Sequence, residues 1–141
     1  MRVHRGVIDP DALSELPPDV LFSRVLQTLD DLGFTVLKTE DLKIRVLRPR
    51  REDIPTSNRI RTMSTNKQTI PPPYGPPQVD NGDEVQLVIE VCKIKNLNNF
   101  FIVHLSRRKG NAWTYKHLYH LIIETLALRS DDVHRYAPKA Q

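Results

Sequence analysis

Residues 84–128 read EVQLVIEVCKIKNLNNFFIVHLSRRKGNAWTYKHLYHLIIETLAL, and the fold follows from how their apolar positions recur. From Glu84 to Lys95 they alternate, with Val85, Leu87, Ile89 and Val91 on one side and Gln86, Glu90 and Cys92 on the other. That two-residue period predicts a half-buried strand. Leu97-Asn98-Asn99 is turn chemistry, because asparagine tolerates positive φ and bonds to its own backbone. Phe100–Arg107 alternates again, with Phe101, Val103 and Leu105 facing away from His104 and Ser106. The two strands form an antiparallel hairpin. Arg107-Arg108-Lys109-Gly110 breaks the pattern, and from Thr114 the period becomes helical, with Tyr115, Leu118, Ile122 and Leu126 on one stripe. A hairpin thus hands off to a helix that folds back over its apolar face.

Upstream, Arg2–Ile8 mixes Val3, Val7 and Ile8 with Arg2, His4 and Arg5, the composition of a charged edge strand. Leu16-Pro17-Pro18-Asp19 opens a helix, since proline suits the first turn and Asp19 its positive end. Its stripe is Leu21, Phe22, Val25, Leu26 and Leu29, with Arg24, Gln27, Thr28 and Asp31 opposite, and Gly33 stops it. Phe34–Lys38 and Leu42–Arg48 are strands around the turn Thr39-Glu40-Asp41. Leu42, Ile44 and Val46 face away from Lys43, Arg45 and Leu47, and Pro49 ends the second strand. The expected fold is α+β in the order β-α-β-β-β-β-α, an antiparallel sheet with both helices packed on one face. The other sheet face is left to water. Arg51–Gly82 has no period and is rich in Pro, Ser and Thr, so residues 51–82 are expected to be a mobile insertion in a single domain spanning 1–128. Residues 129–141 are expected to be a flexible tail.

At 141 residues the chain supports one core. One cysteine allows no internal disulfide and points to a reducing compartment. No run of about 18 apolar residues predicts a membrane span, and the start MRVHRGVIDP lacks the apolar centre of a secretory signal. A net charge of +4 permits an anionic partner without requiring one. There is no glycine-rich phosphate loop, no strand lysine of the V-A-I-K kind, no H-R-D and no D-F-G. His104, His117 and His120 have no companions at metal-ligand spacing, and Cys92 has no base that the sequence can place, so a structural thiol is expected. The expectation is a non-enzyme without cofactor or metal.

Glu90-Val91-Cys92-Lys93-Ile94, Val103, Leu105, Arg107, Gly110, the pair Tyr115-Lys116, and Leu118, Ile122 and Leu126, with Pro18–Gly33 as first helix, resemble the kinase-associated 1 domain. That module ends many kinases of the AMP-activated and microtubule-affinity-regulating groups. The resemblance implies a regulatory fragment of a fungal Ser/Thr protein kinase. It also implies binding to anionic phospholipids such as phosphatidylserine and restraint of the parent's own kinase domain. Localisation would be cytoplasmic, peripheral at the inner face of the plasma membrane. The alternative it implies is a purely intramolecular or subunit-contacting domain without lipid binding, as in AMP-activated kinase. Relatives carry basic residues just before the glycine, a pattern that maps onto Arg107. Ser106 stands where relatives have lysine, and Arg108 and Lys109 are additions.

The residues expected to meet lipid are Arg107, Arg108, Lys109, Lys43, Arg45, Arg48 and Lys116. Each cation near an anionic leaflet contributes about 1 kcal/mol. Four or five together give roughly sub-millimolar binding, so a second anchor would be needed. Nucleic acid is not expected, because aromatics are not interleaved with the basic residues. Within the insertion, Pro71-Pro72-Pro73-Tyr74 fits the PPxY ligand of WW domains, with Pro71, Pro72 and Tyr74 as contacts. Ser64, after Arg59 and Arg61, is a candidate phosphosite whose charge would oppose lipid binding.

Overall fold

Backbone hydrogen bonding decides the sheet. The computed structural model describes residues 1–53 and 71–128. Six strands form one sheet: β1 (Val3–His4), β2 (Leu13–Ser14), β3 (Thr35–Glu40), β4 (Lys43–Arg48), β5 (Val85–Ile94) and β6 (Leu97–Lys109). The order is β2-β6-β5-β4-β3, all antiparallel, with β1 added parallel to β5. The expected α+β architecture is therefore observed, with one strand more than expected and one parallel pair. The additional strand is β2, which pairs with β6, whereas the parallel pair follows from the unequal lengths of β4 and β5. β4 begins at Lys43, opposite Glu90, while β5 runs four residues further. The Val91 amide finds the Leu42 carbonyl at 2.9 Å and the Lys93 amide finds that of Arg2 at 3.0 Å. β1 thus satisfies donors that β4 cannot reach, and buried amides are rarely left unpaired.

Helix α1 (Pro18–Leu32) starts on Pro17-Pro18 and ends where Gly33 takes φ 84° and bonds back to the Leu29 and Asp30 carbonyls. Its buried face is Leu21, Val25, Thr28 and Leu29. Thr28, placed on the polar side by the sequence, is in the core instead. Helix α2 (Ala112–Leu126) is capped by Asn111, whose side chain accepts from the Trp113 and Thr114 amides. Leu118, Ile122, Ile123 and Leu126 bury against Leu21, Val25 and Leu29 and against Ile44, Val46, Leu87, Ile89 and Val91 of the sheet. Each such side chain contributes about 1.5–3 kcal/mol when fully buried, which outweighs the small differences in helix propensity. Arg24 ties the helices together by donating to the Leu126 carbonyl at 3.1 Å. Tyr119 donates to Asp9 at 2.5 Å, anchoring the 3₁₀ turn Pro10–Ala12 against α2.

Three turns lie elsewhere than expected. The β5–β6 turn is Lys95-Asn96, with φ 68° at Asn96, so Leu97-Asn98-Asn99 already belongs to β6. The β3–β4 turn is Asp41-Leu42, both at positive φ, which matches the twist of the flanking strands. Leu42 is thus a turn residue. The triplet Arg107-Arg108-Lys109 lies within β6 rather than after it.

Candidate anion-binding groove

The sheet face away from the helices is open over β3–β6 and forms a shallow groove of about 430 Å³. Cross-strand register builds it. Arg45 lies between Lys38 on β3 and Val88 on β5, and Val88 faces Ser106 on β6. One row along, Lys43 lies between Glu40 and Glu90, and Glu90 faces His104. Near the tip of β6 the ladder slips, with Leu87 opposite Arg107 and Gln86 opposite Lys109. Arg108 is the extra residue of this bulge, and such residues are commonly re-aimed; it lines the groove beside Ser106.

Five cations (Arg2, Lys38, Lys43, Arg45, Arg108) and two carboxylates (Glu40, Glu90) line the groove, an excess of three positive charges. Arg2 pairs with Glu90 at 3.0 Å and Lys38 sits 3.7 Å from Glu40. Lys43, Arg45 and Arg108 have no ion pair among the described residues. His104 stacks 4.9 Å from His4. Burial, then the nearby His4 and Arg2, push the His104 imidazole below its ordinary range, so it adds no charge at neutral pH. Cys92 is fully buried beyond this end, and burial, then Glu90, push its thiol up. That suits a structural residue.

The seven cations expected at a lipid site do not share one place. Lys43, Arg45 and Arg108 do share the groove. Lys109 pairs with Glu84 at 2.9 Å. Arg107 is opposite Leu87 and donates to the Gly110 carbonyl at 2.6 Å. Lys116 is on α2, 5.9 Å over the Trp113 ring.

Arg48 is a correction: it is fully buried. Its guanidinium makes a two-pronged pair with Asp80 at 2.5 and 3.0 Å, and also donates to the carbonyls of Pro73 and Asp83. The strand period contained this signal, since 48 shares parity with Ile44 and Val46. Two cations that line the groove, Arg2 and Lys38, were not singled out from the sequence, because only register brings them beside Glu90 and Arg45.

Residues 71–82, expected to belong to a mobile insertion, pack with Asp83 around Arg48. Tyr74 lies beneath the Arg48 and Arg51 guanidiniums at 4.5 and 4.9 Å and donates to the Pro49 carbonyl at 2.7 Å. The tyrosine of the PPxY pattern is therefore half-buried against its own domain, with Pro72 half-buried and Pro71 exposed. His117, expected to be solvated, packs against Gly75, where an added Cβ would lie 2.5 Å from its ring. Ser64 and the tail 129–141 lie outside the described residues. No helix among the described residues is long and apolar enough to cross a membrane.

β5, β6 and α2 carry half of the groove's lining and most of the core, and this hairpin-plus-helix unit is what the comparison with known families detects. Residues 83–128 match the family model KA1, kinase associated domain 1. None of the curated proteins matches the chain. The match covers 46 of the 141 residues and makes this hairpin-plus-helix unit similar to a kinase-associated domain. The matched residues supply Val88, Glu90, His104, Ser106 and Arg108 to the groove, whereas Arg2, Lys38, Glu40, Lys43 and Arg45 come from outside the match.

Proposed function

We propose that this chain is the regulatory module of a Ser/Thr protein kinase and docks on anionic phospholipid through the sheet-face groove, thereby localising and restraining the kinase. The observation that carries this reading is the set Lys43, Arg45 and Arg108, cations with no ion pair among the described residues, gathered on the uncovered sheet face. The groove's excess of three positive charges over Glu40 and Glu90 costs self-repulsion, which an anionic ligand relieves. At about 1 kcal/mol per cation, these three with Arg2 and Lys38 give on the order of 3–5 kcal/mol. Binding by the groove alone is then millimolar, about 0.2–6 mM, and salt-sensitive.

The test is sedimentation with phosphatidylserine vesicles at low salt. The unaltered protein pellets, and Arg45→Glu with Arg108→Glu does not, while both proteins melt at the same temperature. Equal pelleting of the two removes the groove as the site. Absence of pelleting with the unaltered, folded protein removes the lipid reading and leaves the intramolecular or subunit-contacting module.

A further inference from the structure

A second exposed feature lies at the corner where β6 turns into α2. Trp113 is 71% exposed there, and it is the chain's single tryptophan. Its backbone amide donates to the Asn111 side chain at 2.8 Å, which places the residue in the first turn of α2. Lys116 stands 5.9 Å over the ring. Arg107 is held at the same corner by the Gly110 carbonyl, and Lys109 precedes it on the strand tip. Thr114, the next residue, reaches the carbonyl of Val79, itself 38% exposed. An indole with Lys116 over its ring and Arg107 at the same corner is thus presented to solvent. Adjoining it, Arg108 belongs to the groove.

We infer that Trp113 is an interfacial anchor, inserted among the headgroups of an anionic bilayer while Arg107 and Lys116 meet the phosphates. Charge complementarity selects this occupant. Asp83 and Glu84 lie beside Gly110 and Asn111, and Glu84 is already held by Lys109. Indole suits the membrane boundary because it combines an apolar body with an N–H that stays wet. The indole supplies the non-electrostatic contact that cations alone lack, so binding persists in part at salt concentrations that screen the groove. This inference rests on the lipid reading above and assigns it a second contact.

The test uses the intrinsic fluorescence of the single tryptophan in the whole chain, titrated with phosphatidylserine-containing vesicles and with neutral phosphatidylcholine vesicles. With the anionic vesicles the emission maximum shifts to the blue, and lipids brominated near the headgroup quench it. Trp113→Ala weakens vesicle binding about tenfold, as partial burial of one large aromatic implies, without changing the melting temperature, and Trp113→Phe recovers part of the loss. Vesicle binding with unmoved emission and an equal Trp113→Ala affinity overturns the anchor while the groove reading stands. Absence of vesicle binding overturns both. A blue shift that grows with protein concentration in the absence of vesicles makes the corner a self-association surface and overturns the anchor.

Discussion

Arg48 and Asp80 have no exposed side-chain surface and hold each other through two hydrogen bonds. Asp80 also accepts from the Gly75 and Gly82 amides at 2.7 and 2.9 Å, so the pair organises 71–83 over the end of β4. Breaking a buried pair by removing one partner leaves an uncompensated charge and costs about 3–5 kcal/mol. Asp80→Ala is therefore expected to lower the urea midpoint strongly, whereas Arg45→Ala in the open groove changes it little. Burial by itself raises the Asp80 carboxyl, but Arg48 and the two amides hold it below its ordinary value of 3.8. With the folded value under the unfolded one, the stabilisation is complete above 3.8 and lost as pH falls through the folded value. Denaturation followed from about pH 6 to pH 2 should show the unaltered protein losing stability more steeply than Asp80→Asn.

At the level of elements, the β6–α2 junction has the least room for change. Gly110 takes φ 113°, and an added Cβ would lie 2.7 Å from the Glu84 carbonyl oxygen and 3.0 Å from the Val85 Cα. Both obstacles are backbone at the start of β5, so neither can swing aside. Gly110→Ala is expected to cost about 2 kcal/mol or more from strain, read as a fall in melting temperature. One residue on, Asn111→Ala removes the cap of α2 and costs about 1 kcal/mol. The comparison of the two variants separates steric strain from lost capping, because only the glycine also positions the start of β5.

For the whole molecule, the charges fall into two classes with different responses to salt. The Arg48–Asp80 pair is buried and little screened, while Lys43, Arg45 and Arg108 face water. The screening length falls from about 8 Å at physiological salt to about 3 Å at 1 M. Raising salt should therefore abolish the groove's share of vesicle binding and leave the melting temperature nearly unchanged. A melting temperature that fell in step with binding would mean that the two charge classes are coupled.

Local periodicity determined both helices, the four main strands and the one-sided packing. Apolar residues spaced by two or by about 3.6 have one way to leave water together, and Pro18, Gly33 and Gly110 mark the boundaries in sequence itself. What is tied to register and to distant partners was not local. The parallel strand β1 exists because β5 outruns β4, and Tyr74 is packed because Arg48 points inward. Arg45 and Arg108 meet across three strands that are separated by a long insertion. A cation reads the same in sequence whether it faces lipid, a carboxylate or the core. Only the tertiary structure, by fixing which side chains share a face and which carboxylate lies within reach, decided the role available to each.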